Sequence, residues 1–162
     1  MRRYRRIVLF ACALAFLAVL VHVCVALWAH SELTQPEGII ATQTLSFARE
    51  GSLYYDLQQY PYTVCAYMPV FYALVAGMYQ IGIPVLVGGR LISLLALAGI
   101  LYLVWKILFL YTREKLCAGT GVASAGMTQL LLGWGMVGQV DMLAAALTLA
   151  AFYQYSRPLV SG

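Results

Sequence analysis

The sequence predicts an all-α membrane protein, with about four transmembrane helices and one or two interfacial helices in its first outer loop. Three observations point to this class. Apolar residues make up 63% of the chain and charged residues 10%, against about 45–50% and about 25% in an ordinary soluble domain. Apolar stretches recur at the length a bilayer core demands, about 20 helical residues. The remaining charges sort by sign, as they do when Lys and Arg collect on the cytoplasmic side of short loops.

The first predicted span covers residues 7–29. It holds His22 as its one polar ionisable group and follows Arg2, Arg3, Arg5 and Arg6. A basic start before an apolar run also opens a signal peptide, and Cys24-Val25-Ala26 offers a small-x-small cleavage triplet. The run is well beyond the 7–15 residues typical of such a peptide, which favours an uncleaved span. The second span covers 91–110, with Lys106 near its end. The third covers 118–140 without a charge. It carries Gly119, Gly121, Gly126, Gly133, Gly135 and Gly138, small residues that let membrane helices approach closely, as in a span buried among more helices than this chain supplies. The fourth, 142–155, is shorter and is closed by Gln154-Tyr155-Ser156-Arg157.

Residues 68–83 are apolar but interrupted by Pro69, Gly77 and Gly82. Were this segment a full span, Arg113 and Lys115 would fall on the outer side. As a helix lying in the outer interface it leaves eight of the ten Lys and Arg inside, with Arg49 and Arg90 outside, and five of the six acids (Glu32, Glu37, Glu50, Asp56 and Asp141) outside. The N-terminus is then cytoplasmic, Lys106 snorkels at an inner end, and residues 30–90 form the outer loop.

Within that loop, Thr34-Gln35-Pro36-Glu37 reads as a helix start: Thr34 can cap and proline suits a first turn. The helix is expected over 36–50, ended by Gly51. Glu37 falls in its first turn, on the face of Ala41, Leu45 and Ala48. A carboxylate there is favoured by the helix dipole, which accounts for it without any further role. Tyr54, Tyr55, Tyr60, Tyr62, Tyr67 and Tyr72 follow within nineteen residues. Tyrosine suits a membrane interface; a pocket stacking rings on a sugar is the functional alternative. Arg90 opens the second span, as a lipid-headgroup anchor or a phosphate partner. Asp141 lies between the third and fourth spans, where it marks a tight outer turn or a functional acid next to apolar segments.

Together these residues resemble the polytopic GT-C glycosyltransferases, of the protein O-mannosyltransferase and lipid A aminoarabinose transferase type. The likeness rests on Glu37-Gly38-Ile39-Ile40 soon after the first span and on Gly51-Ser52-Leu53-Tyr54-Tyr55-Asp56. Tyr67-Met68-Pro69-Val70-Phe71-Tyr72, Arg90-Leu91-Ile92-Ser93 and Val140-Asp141-Met142-Leu143 then follow in order, covering nearly the whole chain. The resemblance implies sugar transfer from a polyprenyl-phosphate donor to an acceptor at the outer face of the membrane, with the bacterial inner membrane as the expected location. Glu37 would be the general base and Arg90 the partner of the leaving phosphate. Asp141, Asp56 and Tyr67 would bind substrate. Many relatives carry Asp-Glu or a lone Asp where this chain has Pro36-Glu37. The family has eleven or more spans, so the chain resembles an N-terminal piece, inactive alone and needing further spans or another membrane subunit.

No cofactor is expected beyond the donor substrate, and no metal-ligand spacing appears among Cys12, Cys24, Cys65 and Cys117. The N-terminal arginines are explained by topology, so no nucleic-acid partner is expected; the bilayer and a lipid-linked sugar are. The competing readings are a non-catalytic membrane scaffold or assembly subunit, and a transporter fragment.

Overall fold

The computed structural model describes residues 2–56, 58, 64–128, 133, 135 and 137–161. Six helices account for most of them: α1 (Arg2–Trp28), α2 (Gln35–Glu50), α3 (Pro69–Gln80), α4 (Val85–Thr112), α5 (Lys115–Gly126) and α6 (Val140–Ser161). No strand occurs among the described residues. α1 and α4 are long and apolar enough to cross a membrane; at 28 residues, α4 is about 42 Å long.

The sequence expectations for individual helices need four corrections. The second apolar helix begins at Val85 rather than 91, because Val85–Gly89 is apolar, Pro84 sets the entry, and Arg90 is neutralised locally. Arg90 therefore lies inside the helix, not at its start. The third expected span is not one continuous helix: α5 stops at Gly126, with Met127 bonding back to Ala123. The rest of 118–140 includes 129–132, 134 and 136, which lie outside the described residues, as do Tyr60 and Tyr62. The last helix is longer than expected. It runs through the polar residues after Tyr153 and carries Pro158 in its final turn, where proline supplies no N–H to the carbonyl four residues back. Finally, Thr34 stands at the N-cap of α2 in extended conformation, but its side chain makes no cap bond; its hydroxyl accepts from Gln139 Nε2 at 3.4 Å instead.

α2 spans Gln35–Glu50, close to the expected 36–50. Gly51, at φ 74°, ends it with its N–H on the Phe47 carbonyl. That left-handed conformation costs glycine no steric penalty. α3 covers Pro69–Gln80, within the expected 68–83.

α4, α5 and α6 run in alternating directions. Arg113 reverses the chain after α4, its N–H on the Phe109 carbonyl at 3.0 Å. Gly121 then faces Leu108 and Gly126 faces Leu101, so α5 returns antiparallel to α4. α6 runs alongside α4 in the same sense. Gln139 is bonded to Ser93, and Met142 packs with Ala96, Leu97 and Ile100, with Ala146, Leu149, Leu101 and Val104 around them. A second core cluster joins α2, α3 and α4 through Ile40, Phe71, Tyr72, Val75, Val85 and Ile92. At the far end of α4, Lys106 Nζ lies over the rings of Tyr102 and Trp105, 5.5 and 5.8 Å from their centroids, a cation–π arrangement.

α4 and the lead-in to α6 cross at two glycines. A Cβ on Gly138 would lie 3.2 Å from the Cα and carbonyl carbon of Gly89 and 3.4 Å from Arg90 N, all backbone atoms that no rotamer change can move. Gly138→Ala is expected to destabilise the fold by about 1–3 kcal/mol, the usual cost of overpacking. Gly99→Ala, in α4 where an added Cβ meets nothing within 4 Å, should stabilise by about 0.5–1 kcal/mol. Unfolding in mild detergent, followed by circular dichroism, checks both; equal effects would contradict the crossing.

Candidate functional site

Helix periodicity sets the starting point. Along α2, positions 37, 40 and 44 form one stripe, and all three are buried. The next stripe round carries Gly38, Ala41, Thr42, Leu45 and Arg49. The first stripe puts a carboxylate into the interior; the second faces an open cavity.

Glu37 is 1% exposed and Arg90 0%. Their side chains meet in the two-pronged geometry a guanidinium fork favours. Arg90 Nε donates to Glu37 Oε1 at 2.8 Å, and one terminal nitrogen donates to Oε2 at 2.9 Å. That nitrogen also donates to the Ser31 carbonyl at 2.7 Å, while the other donates to the carbonyls of Ala26, at 2.7 Å, and Ala29. A guanidinium has five N–H donors, and all five are used. Glu37 accepts two further bonds, from Leu33 N at 2.8 Å and Gly138 N at 2.9 Å. The end of α1, the start of α2, the second turn of α4 and the lead-in to α6 are thereby fastened at one point, which we call the clamp.

The electrostatics follow. Burial works against the charged carboxylate, but the bonds from Arg90, Gly138 and Leu33 outweigh it and hold the Glu37 carboxyl below its ordinary value of 4.5. A void of about 10 Å³ touches Glu37, at the lower limit for a single water. The two residues expected to act separately, as base and as phosphate partner, are bonded to each other, and neither faces open space.

A second polar tie lies beside the clamp. The Tyr72 hydroxyl donates to Gln43 Oε1 at 2.9 Å, and Gln43 Nε2 donates to the Val64 carbonyl at 2.9 Å. Burial pushes the Tyr72 phenol well above the ordinary tyrosine range, which keeps it a donor. Other loop tyrosines likewise bond the protein itself: Tyr54 to the Tyr67 carbonyl at 2.8 Å and Tyr55 to Glu50 at 2.7 Å.

The remaining expected site residues are dispersed. Asp141 is exposed in the first turn of α6, three residues after Gly138 and thus at the clamp end. Asp56 is exposed and accepts from Gln58 N at 3.0 Å, a local turn contact. Tyr67 is exposed and offers its carbonyl to Tyr54. None of the three lines the cavity beside the clamp. No group of His, Cys, Asp and Glu suited to a metal occurs among the described residues.

That cavity, about 590 Å³, lies between the end of α1, the second stripe of α2 and the end of α3 with the start of α4. Its lining mixes apolar residues, among them Leu27, Leu45 and Val85–Val87, with the polar His30, Glu32, Thr42, Arg49 and Tyr79. A larger space of about 630 Å³ among α1, α4 and α5 is lined by apolar and aromatic residues such as Phe16, Val23, Leu97 and Trp105. It holds no carboxylate or cation, so the chemistry-bearing site is the first one. Glu32 and Arg49 were not among the expected site residues. The signal for Glu32 was its place three residues past the first span; for Arg49 it was the eleven-residue spacing from Gly38, three helical turns along one stripe.

No protein-family model, curated protein or solved structure matches this chain.

Because the Glu37 carboxyl is held below 4.5 when folded, its contribution to stability is complete above that pH. It is lost as the pH falls through the lower folded value. Thermal unfolding in detergent should show the melting temperature flat near neutrality and falling below pH 4.5. Glu37→Gln should cost about 3–5 kcal/mol at neutral pH, because it leaves a buried guanidinium uncompensated. A variant as stable as the parent would refute the clamp.

Proposed function

We propose that this chain is part of a membrane glycosyltransferase that moves a sugar from a polyprenyl-phosphate donor to an acceptor hydroxyl at the outer membrane face. The observation that carries the reading is the cavity of mixed lining beside the clamp. An apolar lining continuous with long apolar helices, interspersed with an acid and a cation, suits a lipid-linked polar headgroup. Small-molecule sites commonly combine an apolar lining with a few placed polar groups.

In this reading α1 and α4 are transmembrane, with α5 packed against both, and α6 forms a further span. The clamp end faces outward and the arginine-rich N-terminus faces the cytoplasm, in a bacterial plasma membrane. α2 and α3 lie at the outer interface. The order of motifs shared with the protein O-mannosyltransferase and aminoarabinose transferase type supports the same assignment. Glu37 and Arg90 hold the site's walls in register. Arg49, which makes no ion pair among the described residues, faces the donor phosphate, where positive charge stabilises the leaving group. Asp141, at the same end, helps position donor or acceptor.

A second reading is favoured by the clamp itself. Two charges that the family likeness gives to chemistry are spent on structure, as in a non-catalytic membrane subunit. Binding separates the two. The full chain in nanodiscs should bind undecaprenyl phosphate and undecaprenyl-phosphate-linked mannose. Thr42→Trp, which fills the cavity from an exposed position on α2, should weaken both by about tenfold or more, roughly 1.4 kcal/mol. Absence of binding, or binding indifferent to Thr42→Trp, would leave the non-catalytic reading.

A further inference from the structure

We propose that Glu32, not Glu37, is the carboxylate that removes the acceptor's proton; this rests on the transferase reading above. A general base has to reach the proton it takes, directly or through one water. Glu37 fails that condition in this fold, with both oxygens occupied and almost no exposed surface. Glu32 meets it. Its side chain is exposed and accepts no hydrogen bond among the described residues. It lines the cavity of about 590 Å³ and also a neighbouring one of about 370 Å³ on the other side of Gly38. It is the acid these two spaces share.

The carboxylate is also seated. An added Cβ on Gly38 would lie 2.5 Å from Glu32 Oε2 and 2.9 Å from its carboxyl carbon, so the group rests against the bare Cα of the first turn of α2. That turn is itself fixed by the clamp one residue earlier, at Glu37. Glu32 is therefore held between two open spaces, one for each partner in a transfer: the larger cavity suits the lipid-linked donor, and the smaller neighbour, lined by Gln35, Thr42 and Gln43, suits an acceptor hydroxyl.

The step balances as follows. The acceptor oxygen forms a bond to the anomeric carbon as its proton passes to the Glu32 carboxylate. The bond from that carbon to the phosphate oxygen breaks, and its electron pair leaves with the polyprenyl phosphate. Glu32 then releases the proton to water.

The test uses the full chain in proteoliposomes with undecaprenyl-phosphate-linked mannose as donor and glycerol as acceptor, following loss of mannose from the lipid; the assignment requires this chain to turn over by itself, contrary to the expectation of an inactive N-terminal piece. Glu32→Gln should lower turnover by about a hundredfold or more, in the range general bases contribute. Turnover should fall far more than donor affinity, and the acid limb of the kcat/KM profile should disappear. Glu32→Asp should recover part of the rate. Gly38→Ala, which displaces the carboxylate, should lower kcat with little change in melting temperature. Glu32→Gln turning over at the parent rate overturns the assignment and leaves the transferase reading intact. Donor binding without turnover in the parent chain overturns the assignment while leaving a lipid-binding site. Absence of donor binding removes both.

Discussion

A guanidinium taken out of water loses several kcal/mol of hydration, and a carboxylate loses as much. Arg90 and Glu37 are both buried, so the fold stands or falls on how completely they are satisfied. The arrangement supplies an acceptor for each of the five Arg90 donors and four donors for Glu37. This differs from an isolated buried pair, for which an apolar replacement of similar volume is often neutral. Replacing both residues here would strand the carbonyl of buried Ala26 and the N–H of buried Gly138, and would unpair the carbonyls of Ala29 and Ser31 and the N–H of Leu33. Each is a backbone group that needs a partner when buried. The pair is thus the means by which four chain segments end and begin without orphaned polar groups.

The remaining features at that end of the molecule follow from the fastening. α2 is held at its first turn by Glu37 and farther along by the Gln43 bonds to Tyr72 and Val64. With one stripe pinned, the adjacent stripe has no rotational freedom and must face the cavity. The close crossing of Gly89 and Gly138 brings the lead-in to α6 near enough for the Gly138 N–H to reach Glu37. Larger residues at that crossing would lengthen this bond and loosen α6 from α4. The cavity walls are helices and a clamped turn, which suits a site whose geometry must persist without its ligand.

Much of this architecture was legible in the sequence, and the reason differs from element to element. α1 and α4 announce themselves by uninterrupted apolar length. α2 is bracketed by Pro36 and Gly51, whose backbone preferences act locally, so its limits could be read within a residue or so. The break after Gly126 could not be read, because an uncharged glycine-rich run fits both a continuous span and an interrupted one. The role of Thr34 was misjudged for a related reason: a capping residue also has a hydroxyl that a distant side chain, here Gln139, can claim. The ionisable residues Glu37 and Arg90 were each visible as unusual, one in a helix first turn and one beside an apolar run. Their partnership spans 53 positions of sequence, and no local periodicity encodes it. Glu32 was overlooked because Glu37 sits in the more recognisable pattern, and a pattern reveals residue type without revealing exposure.

The distinction between the two acids has a chemical basis that reaches beyond access. Donors that hold Glu37 ionised also lower its affinity for a proton, and a base of lowered pKa accepts a proton less readily in the transition state. The features that make Glu37 a good clamp therefore make it a poor base. Removing one of its donors to raise its basicity would uncouple a chain segment from the others. A chain that needs both a rigid clamp and a carboxylate able to exchange protons meets the two demands with separate residues. The second must lie close enough to the first to inherit its rigidity. Glu32, resting on Gly38 and five residues before Glu37, lies at that distance along the chain, close to the fixed turn yet outside the buried network.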